Sequence, residues 1–171
     1  MTRTDEQPTE ERLEQRAIAR VRAALAARGI ADARIREFDV RTATAADAAN
    51  AIGTTEARIV KSLIFMAINT PVLVLASGTN RVDTAKLGAL VGAKIRRASA
   101  DEVRQATGYA IGGVPPLAHA TEIRTFVDPD LLQFDEVWAA AGTPHAVFPI
   151  APSDLVRLTD GQVADVKVDA G

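Results

Sequence analysis

The stretch from Ile59 to Ile68 reads Ile-Val-Lys-Ser-Leu-Ile-Phe-Met-Ala-Ile and limits the fold more than any other part of the chain. It is apolar at odd and even positions alike, so a strand here needs cover on both faces. A polar turn, Asn69-Thr-Pro71, separates it from a second apolar run, Val72 to Ala76. Two β-rich runs joined this closely predict a buried hairpin.

Helices are expected on either side. From Thr9 to Arg28, Leu13, Ala17, Ile18, Val21, Ala24 and Leu25 recur at helical spacing, and Gly29 offers a stop. Thr44-Ala-Ala-Asp47 resembles a capping box and opens a short alanine-rich helix that Gly53 closes. Asp83 can cap a helix to Val91, and Ser99-Ala-Asp-Glu102 a further one that Gly108 ends. Ser153 is the expected cap of a last short helix. Strands are expected at Ala33–Phe38, Ala93–Ala98, Ile123–Val127, Glu136–Ala140 and Ala146–Ile150. The order lacks the strict strand–helix alternation of a doubly wound fold. It predicts an α/β (α+β) domain over residues 9–160, with a mixed, largely antiparallel, barrel-like sheet and helices outside. Residues 1–8 and 161–171 read as loose tails.

Composition excludes several chemistries. The 171 residues contain no cysteine, which removes disulfide scaffolds, thiolate zinc sites and cysteine nucleophiles. Two histidines are few for an imidazole metal cage. A net charge of −2 argues against coating nucleic acid by bulk charge. No run reaches the ~20 apolar residues of a membrane span, and the polar start has no signal-peptide core. The expected compartment is the cytoplasm.

Three features stand out against this background. Lys61 shares a strand face with Ile59, Leu63, Phe65 and Ala67, so its ammonium reaches water at a strand end or lines a pocket. Ser62 points to the other face of a regular strand. Gly112-Gly113-Val114-Pro115-Pro116 is either a rigid connection or a loop that presents fixed amides to a carbonyl oxygen. Between Arg58 and Arg104 lie eight basic and three acidic residues, against twelve and nineteen elsewhere. That stretch suits a phosphate-bearing partner if its charges cluster in space, and is a set of ordinary solvated faces if they do not. His119 and His145 read as structural, Asp128 as a turn cap or a cleft carboxylate. No Gly-x-Ser-x-Gly elbow, Walker loop or dinucleotide fingerprint is present.

Taken in order, the motifs resemble the YbaK/EbsC/ProX family, relatives of the bacterial prolyl-tRNA synthetase editing domain. The resemblance runs from about Thr42 to Leu158. It rests on Thr44–Gly53, Arg58-Ile-Val-Lys-Ser-Leu-Ile-Phe65, Val72–Asp83, Thr107–Pro116, Val127-Asp128 and Ala140-Ala-Gly142. It implies a deacylase that cleaves the ester of a small amino acid (Ala, Cys, Ser or Thr) wrongly attached to a tRNA such as that for proline. No metal or organic cofactor is implied. By resemblance Lys61 engages a phosphate near the tRNA 3′ end, and Gly112 and Gly113 belong to the catalytic loop. Ser62, Ser77, Gly78, Val114, Pro115, Pro116 and Asp128 take substrate-binding positions, with Phe38, Thr42 and Gly142 on further walls. The partners implied are the acceptor end of a mischarged tRNA and an aminoacyl-tRNA synthetase, and the lean is to a monomer. The competing reading is a non-catalytic tRNA-binding or regulatory module of the same fold. A hydrolase of free aminoacyl esters is a third.

Overall fold

The computed structural model describes residues 9–42 and 44–169. The expected tail at residues 1–8 lies outside them. Helix α1 spans Glu10–Ala27, β1 Arg36–Glu37, α2 Ala45–Ile52, β2 Val60–Ala67 and β3 Thr70–Ser77. There follow α3 Thr84–Val91, β4 Ile95–Arg97, α4 Ala100–Thr107 and β5 Arg124–Val127. The chain ends through β6 Val137–Ala140, β7 Ala146–Ile150, α5 Pro152–Thr159 and β8 Gln162–Val163.

The predicted hairpin is β2–β3, paired without a break from Val60↔Ser77 to Ala67↔Thr70. It stands inside a five-stranded sheet of order β4-β2-β3-β5-β8. Its double apolarity has a direct cause, because both faces are covered. Val60, Ile64, Leu73 and Leu75 join the main core with Ile18, Val21 and Leu25 of α1, Phe148 of β7 and Leu155 of α5. Phe65, Ala67, Val72, Val74 and Ala76 pack on the opposite face against Leu87 of α3, Ile95 and Phe126. Each fully buried Leu or Phe here is worth about 1.5–3 kcal/mol over an exposed one.

A second sheet, β1-β7-β6, is antiparallel throughout. Its link to the first is a single parallel bridge from Ile59 to Trp138. The fold is therefore mixed α+β, with two sheets that do not close, so the barrel-like part of the expectation is not confirmed. Among the described residues β6 and β2 share no ladder beyond that bridge, although they line one cavity. β3–β5 and β5–β8 are parallel and the remaining ladders antiparallel.

Local signals at helix ends were mostly realised. Ser99 and Glu102 form both bonds of a capping box, and Asp83 accepts from the amides of Ala85 and Lys86. Ser153 is not a cap. Ala151 holds that position and Pro152 starts α5, where a fixed φ and a missing N–H cost nothing. The strand expected from Ala33 shrinks to Arg36–Glu37. The C-terminal stretch is no loose tail over residues 161–169. β8 pairs with β5, Val166 is buried, and its carbonyl accepts from the Asp83 amide at 2.7 Å.

Candidate active site

β3 covers one edge of β2 along its whole length, whereas β4 covers the other only from Phe65 to Ala67. Beyond that, the Ala98 amide reaches the Ile64 carbonyl at 3.3 Å. At the far end Ile59 meets Trp138. Between these attachments the edge of β2 has no strand partner, and a cavity of about 440 Å³ opens there. That volume lies within the usual range for small-molecule sites. Because it opens at an edge, residues of both parities line it, Lys61, Leu63 and Phe65 from one face and Ser62 and Ile64 from the other. Backbone groups alternate between strand edges, so the Ser62 amide and carbonyl face the opening like those of Ile64.

One corner of the cavity is polar and networked. The Lys61 ammonium donates to the Asn80 carbonyl. The Asn80 side-chain amide donates to Asp128 at 2.7 Å and to Asp130 at 2.8 Å. Asp128 is 1% exposed. It also accepts from the Ser77 amide at 3.0 Å and the Asp130 amide at 2.9 Å. Burial pushes the Lys61 ammonium below the usual lysine value, opposed by Glu56 and Asp128 and helped by Arg97 and Arg81.

The opposite corner is built from backbone. Gly113 lies so close to Thr143 that an added Cβ would stand 2.8–3.0 Å from three of its backbone atoms. Gly142 has φ of 99°, and its Cβ would meet the Ala17 carbonyl of α1 at 3.0 Å. The loop after α4 is laced across its base. Tyr109 donates to the Ala118 carbonyl at 2.9 Å beneath the Arg20 guanidinium of α1. The His119 ring meets the Pro115 carbonyl at 2.7 Å through Nε2, which must carry the proton to donate. Burial keeps this imidazole below the usual histidine value, hence neutral near pH 7. Across the cavity the Pro144 carbonyl accepts from both the amide and the hydroxyl of Thr42 at 2.6 and 2.7 Å.

The lining between these corners is apolar, with Val103, Ile111, Val114, Trp138, Ala139 and Val147. Its charged members are Glu56, Lys61 and Arg97. The Ser62 hydroxyl is buried with no hydrogen-bond partner. An orphan hydroxyl in an apolar pocket costs about 1–3 kcal/mol until something bonds it.

Known proteins share this fold and much of its sequence. Residues 39–158 match the family described as aminoacyl-tRNA editing domain. The chain belongs to that family. A crystal structure described as "a putative trans-editing enzyme for prolyl tRNA synthetase" superposes with a TM-score of 0.85 at 46% identity, over 90% of this chain and 98% of that one. The uncharacterized protein YwhH of Bacillus subtilis (strain 168) is 33% identical over 75% of this chain and 83% of its own. The Enterococcus faecalis protein named "Putative Cys-tRNA(Pro)/Cys-tRNA(Cys) deacylase EbsC" is 26% identical over 72% of this chain and 76% of its own.

Within this editing domain the predicted site residues fall into two layers. Lys61, Ser62, Thr42, Gly78, Gly112 and Val114 line the cavity. Ser77, Asp128, Gly113, Pro115, Pro116, Phe38 and Gly142 do not. Ser77 and Asp128 stand behind Lys61, and the Ser77 hydroxyl donates to the Ala57 carbonyl at 2.6 Å. Gly113 and Gly142 are close-packed supports. The Gly113 amide donates to the Ala110 carbonyl at 3.0 Å, which leaves Gly112 as the free amide of that pair. Phe38 pairs its amide with the His145 carbonyl at 2.7 Å, and Arg36 stacks on its ring. Sequence reasoning missed Arg97, Trp138 and Val147. Arg97 was visible as part of the basic stretch, but nothing in the sequence separated it from Arg96.

Proposed function

We propose that this editing domain is a trans-acting deacylase that hydrolyses the ester between a small amino acid and the 3′-terminal adenosine of a mischarged tRNA. The observation that carries the reading is the cavity itself, apolar within, with Lys61 at its polar corner and the orphan Ser62 hydroxyl inside. Lys61 holds a phosphate near the 3′ end as a point charge, which sets the ester over the opening. The aminoacyl group enters between Ser62, Val103, Val114 and Trp138. The free Gly112 amide faces developing charge on the carbonyl oxygen of the ester. Water adds to the carbonyl carbon, the carbon–oxygen bond to the ribose breaks, and the ribose oxygen leaves with a proton. An aminoacyl ester is already activated, so positioning and desolvation suffice.

The reading extends to substrate choice. One methylene in an apolar pocket is worth only ~1–3 kcal/mol, so size alone separates neighbouring amino acids weakly. A substrate hydroxyl, thiol or amine that bonds Ser62 adds to that. The names of the similar proteins support tRNA for proline as the carrier and a prolyl-tRNA synthetase as the source of the error, and translation places that encounter in the cytoplasm.

The test is deacylation of tRNAs carrying Ala, Cys, Ser, Thr or Pro, with wild type and Lys61→Ala. Rapid loss of one amino acid, reduced at least tenfold by the substitution, is expected. Turnover that survives Lys61→Ala together with unchanged tRNA affinity sinks the mechanism. Binding of tRNA without turnover of any substrate makes the protein a regulatory module. Equal turnover of free aminoacyl esters makes it a general esterase.

A further inference from the structure

Two arginines whose charges act on Lys61, Arg81 and Arg97, have no part in the function proposed so far. We infer that Arg81 and Arg97 complete, with Lys61, a three-cation site that grips successive phosphates of the tRNA 3′ strand at the cavity mouth. This rests on the tRNA reading above and deepens it.

Arg97 ends β4 and is the register partner of Phe65, so it stands on the sheet face that carries Lys61 and Leu63. It lines the same cavity as Lys61. Its neighbour Arg96 points to the other face and is bound by both oxygens of Glu102 at 2.7 and 2.8 Å. Two consecutive arginines thus have opposite fates. One is fixed in a structural pair, and the other is exposed without a carboxylate partner among the described residues.

Arg81 approaches from the second side. It follows Asn80, whose carbonyl holds the Lys61 ammonium. Its own carbonyl accepts from the Val168 amide at 2.8 Å, which pins its backbone. Its guanidinium is exposed and also lacks a carboxylate partner among the described residues. Arg58, by contrast, is tied to Asp135 at 2.9 Å and Lys167 to Asp130 at 2.6 Å. Unpaired arginines occur elsewhere on this surface. These two differ in their placement, Arg97 in the cavity wall beside Lys61 and Arg81 next in the chain to the residue that holds the Lys61 ammonium, and the charges of both disfavour its protonated form. Glu56 and Asp128 act the other way, yet Asp128 is already occupied by Asn80 and two amides. A bound phosphate relieves the repulsion, and guanidinium forks match its oxygens two at a time.

The probe is a CCA-ended acceptor-stem hairpin, used in two forms. One carries natural linkages, and the other has neutral methylphosphonates at its last two positions. Affinity is measured from low to physiological salt for wild type, Arg81→Gln, Arg97→Gln and, as control, Lys94→Gln. Each site arginine is expected to strengthen binding about tenfold, the scale of one charge-assisted contact. Each substitution should flatten the logarithmic salt slope by about 0.7. The methylphosphonate hairpin should erase most of the difference between wild type and variants, while Lys94→Gln keeps the wild-type slope. Unchanged slopes in both arginine variants, or an equal loss on both hairpins, overturn the inference. Wild-type deacylation is scored separately. Turnover with arginine-independent binding leaves the deacylase and removes this site. Arginine-dependent binding without turnover does the reverse.

Discussion

The two corners of the cavity are rigid for opposite reasons. Around Lys61 the geometry is set by side chains, with three donors converging on the buried Asp128 carboxylate. Around Gly112–Pro116 it is set by missing side chains, since Gly113 and Gly142 let backbone meet the Thr143 and Ala17 backbones directly. The first corner can be retuned by exchanging polar groups. The second tolerates no added atom. On the function proposed above, the corner that would meet charge is built from exchangeable chemistry, and the corner that would meet the ester from fixed shape.

Asp128→Asn attacks the first corner and should show the largest effect on stability. An amide there turns an NH₂ toward donors, so at least one buried group loses its partner. The expected loss is about 3 kcal/mol, the upper end for a buried unsatisfied group, read as a lower urea midpoint with unchanged slope. A loss under about 1 kcal/mol would show that the carboxylate is not what holds Asn80. Gly113→Ala attacks the second corner. Overpacking against backbone should cost about 1–3 kcal/mol and lower turnover more than tRNA affinity. Equal losses in both would erase the division between the corners. Ser62→Ala sharpens the comparison from between them. Removing an unpaired hydroxyl should leave stability within about 0.5 kcal/mol of wild type or slightly raise it. The amino-acid preference in the deacylation panel should shift away from hydroxyl and thiol side chains.

Much of this was legible in the chain. The both-sided apolarity of Ile59–Ile68 required a covered hairpin, and Ser99 with Glu102 announced a helix start that formed as written. Local signals read well because their partners lie within a few residues. What was illegible depends on partners far along the chain. Gly113 looked like a supplier of amides, and its need for Thr143 appears only when the two loops stack. Gly142 has its reason in α1, a helix with no readable role in the sequence. Ser77 and Asp128 share their motifs with residues of the cavity wall, but a motif does not say which members touch the cavity and which stand behind it. Arg96 and Arg97 were indistinguishable until β4 placed them on opposite faces. The loose C-terminal tail failed because Val166 finds its cover in α3 and β5, both distant in sequence.

The bond between Thr42 and Pro144 spans 102 residues. A hairpin such as β2–β3 closes within about 1–10 μs once made, but this contact waits for the intervening chain to be synthesised. At ~5–20 residues per second that wait lasts about 5–20 s. In the part of it after Ser77 the nascent protein carries Lys61 and the hairpin side of the cavity without the far wall. Contacts of such long separation also slow the folding search itself. The pocket is therefore among the last parts of the molecule to exist. A chain arrested before Pro144 would display its apolar lining with no aminoacyl site, which makes quality control of the nascent protein and the activity of the finished one depend on the same late event.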